Sequence, residues 1–298
     1  MSLPRPIFKN TTYLVTRRCT QRQFWLRPSE KVNQVILYCL AVAATKYNVL
    51  VHAACFLSNH YHLVATDKEG RMPEFLAYLN KYVAKCLNVE HGRFENLFAA
   101  NEKPSLVTLV EAADIVAKAG YTLANPVLAG LVRSPEEWPG VLLMPSTDGL
   151  PEIDVERPEG FFRTEGPMPE RATLKLTVPE AFADERISFL SALKENVEAR
   201  VSGKQAEMKK KKCKFMGRRN VLRQNPSSRP QSREPRRQLN PRVAAKSKWA
   251  RIEALKRLKK FLAEYRQAWC AWVAGDQDAE FPKGTYALAR IATVKICT

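Results

Sequence analysis

The chain has 298 residues, 45% of them hydrophobic, enough for one large folded domain or two ordinary ones with a packed core. No uninterrupted apolar run approaches the roughly 20 residues that cross a bilayer, and residues 1–9 lack the apolar centre of a secretion signal, so the sequence reads as cytoplasmic with no membrane partner. The net charge of +18 is local: residues 204–260 hold 21 Lys and Arg against Glu207, Glu234 and Glu253, the rest of the chain is balanced, and a polyanion such as nucleic acid is the partner this suits.

In chain order, Thr11–Arg18 is rich in β-branched and aromatic residues and predicts a strand. Pro28-Ser29 then starts a helix in which Val32, Val35, Ile36, Cys39, Leu40 and Ala43 recur at helical spacing to about Lys46. Residues 48–66 read as two strands broken at Ser58-Asn59. Pro73 opens a second helix, with Phe75, Leu76, Leu79, Val83 and Leu87 on one face, and Gly92 closes it. A fourth strand is expected at 94–99 and a further helix at 106–124. The order β-α-β-β-α-β followed by a helix predicts an α+β domain over 1–145, of the ferredoxin-like split βαβ kind, with an antiparallel sheet covered by helices on one face.

Beyond it, 146–203 reads as a linker, irregular in its Pro-, Gly- and acid-rich first part, and then a helix over about 184–207. Residues 204–247 form the basic segment; from 209 on it has four prolines and too few apolar residues for a core, and is expected to stay unstructured until an acidic partner binds, or to be a plain solvated charge run. Over 248–298 a helix with Trp249, Ile252, Leu255, Leu258, Leu262, Tyr265, Trp269 and Trp272 at steps of three and four precedes a strand or hairpin, so the C-terminal extension is basic and mostly helical. Its aromatic stripe reads as core before base-stacking platform. The seven cysteines include no C-x-x-C pair, which suits reduced thiols and excludes a cysteine zinc site.

Chemistry concentrates in two places. In His60-Tyr61-His62 the two histidines would project from one face of a strand, able to share a divalent metal, while Tyr61 points into the core; the plain alternative is two half-exposed histidines on an edge strand. Asn125 lies one helical turn after Tyr121 and is a candidate third ligand, yet Asn125-Pro126 also reads as an N-cap followed by proline at the first helical position. Tyr121 beside a metal could act as a nucleophile on phosphate. Tyr78 and Tyr82 are fallback nucleophiles, and Gly120 weakens the tyrosine helix enough to let it move.

The run Phe56-Leu57-Ser58-Asn59-His60-Tyr61-His62-Leu63 resembles the histidine-hydrophobic-histidine signature of the HUH single-strand transposases, in the form found in REP-associated tyrosine transposases, with Leu57 and Ser58 where Met and Pro are usual. Tyr121-Thr122-Leu123-Ala124-Asn125-Pro126-Val127, followed by Ala129-Gly130-Leu131-Val132, resembles that family's tyrosine helix and the run after it. The resemblance covers about residues 8–142. It implies His60, His62 and Asn125 as ligands of Mg²⁺ or Mn²⁺ and Tyr121 as the nucleophile. It further implies single-stranded DNA hairpins of repetitive palindromes as substrate, cut to a 5′-phosphotyrosine and a free 3′-hydroxyl.

The resulting expectation is a DNA strand transferase whose basic extension grips phosphates through Lys209, Lys210, Lys211, Lys212, Arg218 and Arg219, with Arg17, Arg18, Arg22 and Lys81 as further DNA contacts. Two rivals stand beside it. One is a domesticated, non-catalytic nucleic-acid-binding or regulatory protein on the same fold. The other is an RNA-binding protein, against which stands the lack of paired aromatic sheet motifs.

Overall fold

A computed structural model describes residues 4–99, 103–145, 149–231 and 241–297. Alternation along β1 (Thr11–Arg18) sends Tyr13 and Val15 to one core and Leu14 to another. Helix α1 (Glu30–Tyr47) begins where the Ser29 hydroxyl accepts the Val32 N–H at 3.2 Å, and ends at Asn48 in the left-handed region, φ +49°. Strands β2 (Val49–Phe56) and β3 (His60–Asp67) meet at a tight turn in which the Leu57 N–H donates to the His60 carbonyl at 2.8 Å. At the end of β3, the Asp67 carboxylate accepts the backbone N–H groups of Glu69, Arg71 and Met72 at 3.2, 2.9 and 2.6 Å, which fixes the turn into α2 (Met72–Glu90).

The fourth strand lies later than expected. β4 is Ser105–Leu109 and α3 is Ala112–Leu128, whereas Phe98 makes only an isolated bridge to Cys19 and Phe94 is exposed. The apolar run after Pro104 pairs with β1, Tyr13 opposite Thr108, and the helix waits for the capping box of Glu111 and Asp114. The cap reading of Asn125-Pro126 is also overturned, because both residues sit inside α3, and the Ala129 N–H still reaches the Asn125 carbonyl at 2.9 Å.

A two-residue β5 (Leu142–Leu143) pairs with β2 along one edge of the sheet. β6 (Glu152–Glu156) and β7 (Arg171–Lys175) form an antiparallel ribbon over α1, within what was expected to be linker. Next come α4 (Arg186–Lys210), α5 (Arg218–Leu222), β8 (Val243–Ala244) and α6 (Lys248–Val273), and then β9 (Glu280–Phe281) and β10 (Lys295–Ile296). The last two pair in parallel rather than as a hairpin.

The main sheet has the order β5-β2-β3-β1-β4-β8, mixed because β8 runs parallel to β4, and its inner four strands keep the split βαβ arrangement. Helices α1 and α2 cover one face, as expected. The other face is covered as well: Leu14, Ala53, Val64 and Val107 pack against Ile115, Ala119 and Leu123 of α3, on which α4 lays Phe189, Leu193 and Val197. Among the described residues no helix is long and apolar enough to cross a membrane.

Candidate active site

β3 lies between β1 and β2, so His60 and His62 are not on an edge strand. Register sets Thr16 opposite His62 and Arg18 opposite His60, and pleating puts these four on the face under α3 and α4. Tyr61 takes the opposite face, fully buried and stacked on Phe56 at 4.8 Å, with its hydroxyl donating to Asn80 at 2.9 Å.

The imidazole rings of His60 and His62 stand 5.0 Å apart and nearly perpendicular, and the Tyr121 ring meets His62 edge-on at 5.3 Å. A strand and a helix some sixty residues apart in sequence thus bring together the two histidines and the tyrosine of the sequence motifs. Tyr121 is half-buried. Asn125, one turn further along the same helix, is buried with 5% of its surface exposed.

Neighbours orient both rings. His60 Nδ1 donates to the Asn59 side-chain oxygen at 2.7 Å; a carboxamide oxygen only accepts, so the lone pair of the neutral ring is on Nε2. His62 Nδ1 meets the Thr16 hydroxyl at 2.8 Å, and ligation through Nε2 requires that hydroxyl to accept. Burial, helped by the charges of His60 and Arg18, holds the His62 pKa well below the usual imidazole value, which keeps the ring neutral, as a ligand must be. Two imidazole nitrogens and an amide oxygen such as that of Asn125 are donors whose chemistry suits a divalent ion with coordination positions left over. Among the described residues no group of three or more His, Cys, Asp and Glu gathers into a closed cage.

Sequence reasoning missed what lies over the tyrosine. The Arg200 guanidinium sits 6.0 Å from the centre of the Tyr121 ring, held by the Asn196 side-chain oxygen at 2.8 Å and the Ala117 carbonyl at 3.2 Å. The helical spacing Phe189, Leu193, Val197 and then Arg200 was the available signal. Gly120 serves close packing: a Cβ there would stand 2.2 Å from the Asn196 side-chain oxygen, so the close approach of α4 to α3 beside Tyr121 requires a glycine.

The basic candidates divide. Lys209 to Lys212, Arg218 and Arg219 are exposed, and their segment is folded over 209–231 instead of unstructured; the run 232–240 lies outside the described residues. Phe215 and Val221 pack with Leu57, Val127 and Trp138, the Met216 and Gly217 N–H groups donate to the Gly130 and Leu131 carbonyls at 3.0 and 2.8 Å, and the Ser58 hydroxyl donates to Gln224 at 2.6 Å. This strap ties the end of the tyrosine helix to the turn before His60. Arg18 is exposed on the histidine face, and Arg22 lies in the adjoining loop, where its carbonyl accepts from Asn59 at 3.0 Å. The structure separates Arg17 and Lys81 from the site. Arg17 packs on Phe98 across the sheet and donates to the Ala99 carbonyl at 2.9 Å, and Lys81 is on α2.

The chain's structural neighbours include a REP-associated tyrosine transposase. That structure, bound to a REP hairpin, shares 17% identity at a TM-score of 0.40, over 47% of this chain and 81% of its own. A candidate transposase from Deinococcus radiodurans R1 matches at 17% identity and a TM-score of 0.29, over 36% of this chain and 85% of its own. No protein-family model and no curated protein matches the chain. Likeness of this depth carries no argument about chemistry, which rests on the side chains themselves.

Proposed function

We propose that the protein is a metal-dependent HUH tyrosine transposase that cleaves and rejoins single-stranded DNA at hairpin-forming repeats. The observation that carries this reading is the convergence of His60, His62 and Tyr121 at 5.0 and 5.3 Å from separate elements. The Tyr121 oxygen, giving up its proton to solvent, attacks a backbone phosphorus. The bond from phosphorus to the 3′ oxygen breaks, that oxygen takes a proton, and a 5′-phosphotyrosine and a 3′-hydroxyl result. Attack by a 3′-hydroxyl on the phosphotyrosine reverses the step and rejoins a strand without outside energy. His60, His62 and Asn125 would hold Mg²⁺ or Mn²⁺, which when bound would supply charge withdrawal from a phosphate oxygen.

Thr16 and Asn59 hold the two rings for this task, Arg200 places a cation beside the tyrosine, and the strap offers exposed lysines and arginines to the flanking phosphates. The test is incubation with labelled single-stranded hairpins and Mn²⁺, followed by denaturing electrophoresis. A protein–DNA adduct absent in Tyr121→Phe and His60→Ala is expected. Tight, salt-sensitive binding with no adduct from any hairpin would favour the non-catalytic binding protein instead.

A further inference from the structure

At the end of α3 remote from Tyr121, the start of α3, the start of β1 and the first half of α6 enclose a cleft of about 720 Å³. Its lining reaches both faces at this end of the sheet: Thr12 and Thr66, whose hydroxyls meet at 2.7 Å, share a face of β1 and β3 with Thr16 and His62, while Tyr13 and Leu106 belong to the core on the other side. One wall is apolar, from Phe8, Ile115, Leu258 and Phe261.

Two guanidinium groups, of Arg5 and Arg242, line the same space. Arg5 donates to the Pro104 carbonyl at 2.7 Å, while Arg242 Nη1 is buried with no acceptor among the described residues. Burial lowers the pKa of both, and repulsion from Arg242 lowers that of Arg5 further. The acids at the rim are engaged elsewhere: Glu111 belongs to the capping box of α3, and Glu180 pairs with Lys68 at 2.9 Å. A third cation, Arg257, pairs with Glu253. Two partly desolvated cations thus face an apolar wall with no ion pair to either among the described residues, a cost that an anionic ligand would offset.

We propose that this cleft binds a nucleotide, its phosphate between Arg5 and Arg242 and its base against Phe8, Leu258 and Phe261. Guanidinium forks suit phosphate oxygens, an aromatic wall accepts any base, and the volume is that of a small-ligand site. The assignment deepens the nucleic-acid reading and adds a contact about 14 Å from Tyr121 along the helix axis, at 1.5 Å per residue from Ala112.

The test is calorimetric titration of the full chain at low salt with inorganic phosphate, dAMP and a four-residue thymidine oligonucleotide. The nucleotides should bind more tightly than phosphate. Arg5→Gln and Arg242→Gln should each weaken them at least tenfold, and Phe8→Ala should weaken dAMP but not phosphate. Tyr121→Phe should bind as the wild type does, so the cleft and the strand-transfer chemistry fail or survive separately. Equal affinity for dAMP and the oligonucleotide assigns the cleft to free nucleotides, and tighter oligonucleotide binding assigns it to a DNA strand. Arginine variants that melt normally and bind like the wild type, or phosphate bound as tightly as dAMP, overturn the proposal. Should Arg242→Gln lose its melting transition, Arg5→Gln and Phe8→Ala decide.

Discussion

The two faces of the main sheet are built from the same strands and use tyrosine in opposite ways. Under α1 and α2, Tyr61 is sealed, its pKa raised by burial and its hydroxyl spent on Asn80. Tyr78 and Tyr82 meet at 4.5 Å with tilted rings on that side, with burial pushing Tyr78 up to about 12, so neither fallback nucleophile stands with the histidines. Under α3 and α4, Tyr121 is half-buried against an imidazole and beneath a guanidinium. One residue of strand alternation separates the sealed face of Tyr61 from the face that meets Tyr121.

The largest expected effect breaks that contrast directly. Tyr121→Phe should lower adduct formation at least about a thousandfold with little change in melting, while Tyr61→Phe should keep the adduct and cost about 1–2 kcal/mol of stability by denaturant titration. An adduct surviving Tyr121→Phe would sink the assignment of faces.

A second test concerns His52, at a β-bulge, buried between the Thr66 hydroxyl at 2.7 Å and the Thr177 carbonyl at 2.8 Å. Burial depresses its pKa to about 4, so between that value and its ordinary 6.5 the unfolded chain binds a proton that the folded chain does not. Stability should therefore be complete above about pH 6.5 and fall by up to roughly 3 kcal/mol on descending to pH 4. His52→Gln should flatten that slope in urea titrations at stepped pH.

Next in size is Thr16→Val, expected to weaken Mn²⁺ binding about 10- to 100-fold, measured by paramagnetic resonance, without touching the α1 and α2 side. Smallest is the neighbouring pair on β1. Arg18→Gln should reduce the salt slope of DNA binding by about one contact, and Arg17→Gln should leave binding alone and lower stability by about 1 kcal/mol. Equal binding losses from both would mean that the sheet's sidedness does not govern DNA contact.

Much of this was legible because it is local. Alternation places β1, β2 and β3, three-and-four spacing places α1 and α2, and i, i+2 periodicity alone sets His60 and His62 apart from Tyr61. β4 was missed because a five-residue apolar run is too short to show a period, and the aromatics at 94–98 mimicked a strand. Pro126 inside α3 defeats a sound capping rule, since burial of Leu123, Ala124 and Val127 on either side outweighs the lost N–H. The strap was illegible for a different reason: its charge hides two anchors, Phe215 and Val221, whose buried partners Leu57, Val127 and Trp138 are far away in the chain.

The two-residue edge strand β8 has a consequence for the order in which the protein is made. The sheet from β1 to β4 is available for pairing once Leu109 has left the ribosome, but the partner of Thr108 is Val243. At about 5–20 residues per second that interval is on the order of ten seconds, so a nascent chain displays the histidine strand and the tyrosine helix before the strap, β8 and α6 have been made. The exposed lysines of the strap thus join the face that carries Tyr121 late in assembly, and chains truncated before residue 209 should fold a core that has the tyrosine but not the strap.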